Sequence, residues 1–179
     1  KRLEIAQGEK PHVIMIFLEY FRTKNVGCLG GNPATSPQFD RLAENGALFT
    51  QFYANGLQTY RTMISSFFGI PGHLKTMSLQ PFCSIPMIGL PEILKTNGYQ
   101  TALFQGSPST FDWTFPFFHK AGFETILGRE HFSKEQRTSW GVADEALFRK
   151  AAEWLEKQLL PTFLSLFTIS NHHPWEPPL

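Results

Sequence analysis

Residues 13–18 (V-I-M-I-F-L) form an unbroken apolar run between Pro11 and Glu19. A run this short is either a strand buried on both faces or part of a buried helix. Its length, Pro11 ahead of it and the polar stop behind it favour the strand. The strand reading constrains the rest of the chain, because a strand apolar on both sides needs cover on both sides. Glu19 stands where the run ends. Open α/β sheets place their ligands outside the carboxyl ends of strands, so Glu19 is a candidate site residue. The alternative is that it marks the strand's arrival at solvent, where most carboxylates lie.

The chain has 179 residues, enough for one domain with its own core. Charged residues make up 17%, against roughly 25% in an average soluble domain, and Phe alone contributes 18 residues. That balance calls for a well-buried sheet or for apolar surface that meets something else. With a net charge of +1 and scattered basic residues, there is no electrostatic case for nucleic acid or an anionic membrane. Cys28 and Cys83 lack metal-like spacing and fit either free thiols or a single disulfide. No secretory signal opens the chain, and its longest mostly apolar stretch, residues 159–169, falls short of the roughly 20 residues that span a bilayer. The expectation is a soluble segment, and a start at Lys1 suggests a processed or excised one.

Further along, residues 23–37 read as a loop. Ser36 stands at an N-cap position, with Pro37 as the first helical residue and Asp40 in the first turn, of a helix Pro37–Asn45 that Gly46 ends. Residues 47–54 (A-L-F-T-Q-F-Y-A) read as a second strand and Asn55-Gly56 as a turn. Helices are expected over Thr59–Phe68, Leu90–Thr96, residues 111–120 (weakened by Pro116) and residues 142–158. The last has helical apolar spacing, with Asp144 and Glu145 complementing the dipole at its start. Residues 99–104 and 162–169 complete the strands, and residues 126–139 carry no clear pattern. Strands alternating with helices predict an α/β fold, a mostly parallel sheet with helices on both faces.

In such a sheet the strand exits share one edge, so distant residues converge there. Three exits carry suitable groups: Glu19; residues 55–61 (N-G-L-Q-T-Y-R); and Ser170-Asn171-His172-His173. Thr59 at a helix start either caps backbone N–H groups or serves as a nucleophile. In the second case a cation-bound hydroxyl attacks a phosphorus or sulfur centre, and the helix N-terminus receives the phosphoryl oxygens. Arg61 either pairs with the same oxygens or is a solvated surface group. Of His172 and His173, adjacent in extended backbone, at most one faces the site; otherwise both serve the loop or solvent. Asp112 and Trp113 follow a strand where a pocket could use them, with packing the plainer role for Trp113.

Taken in order, the segments I-F-L-E-Y-F-R, G-G-N-P-A-T-S-P-x-F-D-x-L-A, L-F-T-Q-F-Y-A-N-G, T-Y-R, L-P-E-I-L-K-T-N-G-Y-Q-T-A-L-F, W-G-V-A-D-E-A-L-F and S-N-H-H-P-W resemble the sulfatase-fold lipoteichoic acid synthase and phosphoglycerol transferase family. Each motif is weak alone; the ordered set covers nearly the whole chain. The resemblance implies the alkaline phosphatase superfamily fold. It also implies a membrane-anchored enzyme, facing the outside of the cell membrane, that moves glycerol phosphate from a phosphatidylglycerol-like head group to a glycan or glycerophosphate acceptor. Glu19 and Thr59 match the family's ligands for one divalent metal, usually manganese, with magnesium or zinc as alternatives. Thr59 also matches its nucleophile and His172 its head-group contact; Arg61, beside Thr59, is the further substrate contact of this reading.

The family's remaining ligands, an Asp-His pair, have no counterpart here, since Asp40, Asp112 and Asp144 precede no His. The resemblance therefore implies the N-terminal part of a single catalytic domain, cut after its last strand here and poor at holding metal alone. Gln105 stands where the synthases have a head-group His, and Trp113 is out of register with their head-group Trp. Neither Cys fits the C/S-x-P-x-R motif of sulfate-ester hydrolases. Hydrolysis of phosphate, phosphonate or sulfate esters by the same fold is the alternative activity.

Overall fold

The computed structural model describes residue 8 and residues 10–72, 77–134 and 139–175. These fall into two compact units, one built on residues 20–54, the other on residues 10–19 and the described residues from 55 onward.

The first unit holds three short 3-10 turns and helix α1 (Pro37–Asn45). Pro37 opens α1 and Gly46 follows it, as the local signals predict. The Ser36 hydroxyl does not cap the helix. It accepts from Gly27 N–H (2.8 Å) and donates to Asp40 Oδ1 (3.1 Å), and the same carboxylate oxygen accepts from Cys28 N–H (3.0 Å). Asp40 is held below the ordinary carboxylate value, chiefly by that Cys28 N–H. Residues 47–54 are not a strand. No ladder partner engages them among the described residues, and Phe49, Phe52 and Tyr53 are exposed. Apolar and aromatic residues alone do not make a strand; its backbone groups need a partner.

The second unit is a four-stranded, all-parallel sheet in the order β1-β4-β2-β3, with β1 Val13–Phe17, β2 Gln100–Gln105, β3 Thr125–Leu127 and β4 Thr162–Phe167. Period-two alternation gives the sheet two faces. On one, Leu103, Phe163 and Phe167 pack with Met63, Ile64 and Phe67 of α2 (Thr59–Phe68), α3 (Leu90–Thr96), and Phe117 and Phe118 of α4 (Thr114–Lys120). On the other, Ala102, Phe104, Leu164 and Leu166 pack against Ala146, Leu147 and Ala151 of α5 (Asp144–Leu155). The Phe-rich composition serves the first face. Phe67 meets Phe17, Phe118 and Phe123 edge-on at ring distances of 5.7, 5.5 and 5.3 Å, a favoured aromatic geometry.

A second strand expectation is corrected. β1 is not buried on both faces: Ile14 and Ile16 are 49% and 46% exposed, because β1 is an edge strand and α5 lies over the centre of the sheet. The strands with cover on both sides are the central pair, β4, every residue of which is buried, and β2, buried but for Gln100. β3 is only three residues long, and two of them fall in residues 126–139, which carry no clear sequence pattern. The segment read as one helix from Phe111 is a 3-10 turn, Phe111–Trp113, followed by α4. Pro116 sits in the first turn of α4, where a missing N–H costs nothing. Both cysteines are free. Among the described residues no helix is long and apolar enough to cross a membrane.

Candidate active site

All four strands are parallel, so their carboxyl ends lie along one edge. Glu19 lies two residues past β1. Thr59 is the first residue of α2, and the N-cap position belongs to Gln58, which makes no capping bond. The Thr59 hydroxyl donates to Glu19 Oε2 at 3.1 Å, across 40 residues of sequence. Of the two uses open to Thr59, this bond is not capping; the hydroxyl faces a carboxylate at the positive end of a ten-residue helix. Glu19 is itself anchored: its N–H donates to the hydroxyl of Thr168, just beyond β4 (2.9 Å).

Arg61 lies in the first turn of α2 and is only 6% exposed, so it is not a solvated surface group. Its stem runs between two glycines. A Cβ on Gly56 would come within 2.7 Å of Arg61 Cδ, and one on Gly72 within 2.9 Å of Arg61 Cβ. The guanidinium carbon lies 5.8 Å from the Tyr60 ring centre, in cation–π range.

His172 and His173 follow β4, in a turn rather than extended backbone. The expectation that they point apart is therefore wrong. The two rings lie 4.5 Å from each other and 4.3 and 5.7 Å from Trp140. A bond between His172 Nδ1 and the His173 carbonyl (2.8 Å) orients the ring. The turn is tied down by the start of α5: Asp144 Oδ1 accepts from Ile169 N–H (2.8 Å) and Ser170 N–H (3.0 Å), while Ser170 Oγ accepts from Asp144 N–H (2.8 Å). Asp144 thus does more than complement a helix dipole, and no sequence signal marks that tie.

Gln105 closes β2 fully buried. Its amide donates to the Pro108 carbonyl (2.9 Å), and its Oε1 has no hydrogen-bond partner among the described residues. Asp112 binds Ser78 Oγ (2.6 Å) and Leu79 N–H (3.3 Å), so its carboxylate fixes a loop. Trp113 does not pack away. It is 48% exposed, and both Asp112 (φ 48°) and Trp113 (φ 61°) are left-handed, a strain of about 1–3 kcal/mol each.

The donor chemistry allows a fit test for a divalent cation. Glu19 and Thr59 supply two hard oxygens side by side, which suits manganese or magnesium better than soft metals. They are two of the roughly six oxygens such ions take, and among the described residues no group of three or more His, Cys, Asp or Glu comes together. The pair fits as part of a cation site.

A parallel sheet with a carboxylate at a strand exit and a helix-start hydroxyl bonded to it defines a class. The sulfatase family model matches residues 11–178, and the chain belongs to that family. Among its relatives, the lipoteichoic acid synthase of Staphylococcus saprophyticus is 25% identical over 179 residues, covering 94% of this chain and 27% of its own length. A solved protein of the alkaline phosphatase superfamily from Vibrio parahaemolyticus is 32% identical with a TM-score of 0.84, over 96% of this chain and 43% of that one. The lipoteichoic acid synthase LtaP from Listeria monocytogenes shares the fold at a TM-score of 0.84 and 23% identity, over 95% and 43%. The fold is that of the alkaline phosphatase superfamily, and the chain spans about a quarter of the length of the curated relative.

Proposed function

We propose that this chain carries the nucleophile side of a phosphoglycerol transferase that takes its group from a phosphatidylglycerol-like lipid. The observation that carries the reading is the Thr59–Glu19 hydrogen bond, which joins the exit of β1 to the start of α2. Thr59 Oγ attacks the donor phosphorus while its proton leaves along the bond to Glu19 Oε2. A Thr59 O–P bond forms, the P–O bond to diacylglycerol breaks, and diacylglycerol departs with a proton from water while Glu19 gives its own to solvent. The hydroxyl of a glycan or glycerophosphate acceptor then attacks the same phosphorus and loses its proton to solvent, the Thr59 O–P bond breaks, and Thr59 leaves with a proton from solvent. The α2 N-terminus and the Arg61 guanidinium receive the phosphoryl oxygens, and His172 contacts the glycerol head group.

Glu19 and Thr59 would hold a divalent cation, manganese first, which when bound lowers the hydroxyl's pKa and neutralises charge on the phosphoryl oxygens. The remaining ligands in this reading are an Asp-His pair outside residues 1–179. A membrane anchor and an outward-facing catalytic domain belong to the same reading.

The test is release of diacylglycerol from phosphatidylglycerol vesicles by the full-length protein with Mn²⁺. Thr59→Ala is expected to lose on the order of 10⁴-fold in rate or more, as loss of a nucleophile does. Full activity in Thr59→Ala would sink the proposal. Release of free glycerol phosphate with no acceptor product, at the full rate, would replace transfer by hydrolysis.

A further inference from the structure

The segment leaving β4 touches both halves of the candidate site. Thr168 is buried. Its hydroxyl accepts from Glu19 N–H (2.9 Å) and donates to the Phe17 carbonyl (3.3 Å), while its own N–H donates to that carbonyl (3.1 Å). The β1–β4 ladder is thus extended by a side chain past its last backbone pair, Phe17 with Phe167, and the Glu19 backbone is fixed beside Thr59. One residue further, control passes to Asp144. Its carboxylate accepts from Ile169 N–H and Ser170 N–H, and in return Asp144 N–H donates to the Ser170 hydroxyl. The His172 N–H then donates to the Ile169 carbonyl (2.9 Å).

Sterics hold the same segment. Ile169 Cγ2 fits against two glycines of neighbouring loops: a Cβ would come within 2.5 Å of it on Gly106 and 2.8 Å on Gly141. Trp140, next to Gly141, carries the His172 ring at 4.3 Å.

We propose that Thr168 and Asp144 are positioning residues with separate charges: Thr168 sets Glu19 for the cation, and Asp144 sets His172 for the glycerol phosphate head group. The assignment rests on the function proposed above. Neither residue is assigned a contact with substrate. Each acts through backbone that it holds, as groups behind metal and substrate ligands do elsewhere.

The experiment is a pair of titrations on the full-length protein, with Mn²⁺ alone and with sn-glycerol 1-phosphate at saturating Mn²⁺. Thr168→Val keeps the shape and removes the hydroxyl. It is expected to weaken Mn²⁺ by about 10-fold or more, with glycerol phosphate affinity within about twofold. Asp144→Ala is expected to do the reverse, weakening glycerol phosphate by about 10-fold and Mn²⁺ by less than about twofold. Thr168→Ser and Asp144→Asn retain the bonding oxygen and are expected to restore each affinity. If Asp144→Ala does not fold, Ser170→Ala, which removes only the returned bond, replaces it with the same selectivity expected. A merely structural role would weaken both ligands together in each variant, and that result, or no change in either, would overturn the proposal. A wild-type protein that binds neither Mn²⁺ nor glycerol phosphate would overturn the proposed function itself, and this assignment with it.

Discussion

β1 and β4 lie side by side and pair residue for residue, Val13 with Phe163 through Phe17 with Phe167. Both are short and apolar, yet β4 is wholly buried while Ile14 and Ile16 of β1 are half exposed. Position in the sheet, not hydrophobicity, makes the difference. The contrast continues at the exits. Each edge strand ends in a loop sewn to the exit of its central neighbour, Glu19 to Thr168 beside β4, and Glu130, after β3, to Ser109, after β2. The sheet's centre supplies the core, and its edges supply groups held in place by the centre.

The largest expected contrast is in stability. Phe163 is fully buried, stacked on Phe123 at 5.7 Å and within reach of Phe67. Phe163→Ala is expected to cost about 3–5 kcal/mol, as deletion of a buried aromatic does. Ile16→Ala on β1 is expected to cost about 1 kcal/mol, because half of that side chain already meets water. Urea unfolding of the two variants measures the difference, and equal losses would break the distinction between centre and edge.

A smaller effect tests the tie at the other edge. Partial burial pushes the Glu130 carboxyl up, but the Ser109 hydroxyl, the Glu130 and Ser109 N–H groups and the neighbouring His131 outweigh it and hold the group below its ordinary value of 4.5. A carboxylate held low in the folded state stabilises the fold above its unfolded pKa, and that contribution fades as pH falls through the folded pKa. The stability gap between wild type and Glu130→Gln is therefore expected to be full at pH 7 and to shrink on acidification below about 4.5. A gap that stays constant down to pH 3 would show that the charge of Glu130 plays no part in the tie.

Local chemistry made much of this legible. The bounds of α1, α2 and α3 follow from Pro, Asn and Gly punctuation, which acts within a few residues. The Glu19–Thr59 meeting followed from the family resemblance; the shared-edge argument placed Glu19 correctly after β1 but put Thr59 after a strand at residues 47–54 that does not form. What escaped depends on partners distant in sequence. The cover over β1 depends on sheet order. Residues 47–54 have the apolar and aromatic residues of a strand but no ladder partner among the described residues. Burial of Arg61 depends on two glycines on either side of it in the chain, Gly56 and Gly72, which leave room for its stem. The hold of Asp144 on residues 169 and 170 is a tertiary contact made by a residue that looks, in sequence, like an ordinary helix start.

The central claim is that the Thr59 hydroxyl becomes covalently linked to phosphorus. Mass spectrometry of the full-length protein after incubation with phosphatidylglycerol and Mn²⁺, with peptide mapping, tests it directly. The account predicts a glycerophosphate mass on the peptide containing Thr59, absent from Thr59→Ala and discharged on adding acceptor. No adduct on that peptide, or an equal one in the Thr59→Ala protein, would contradict it and leave the Thr59–Glu19 bond as a structural contact.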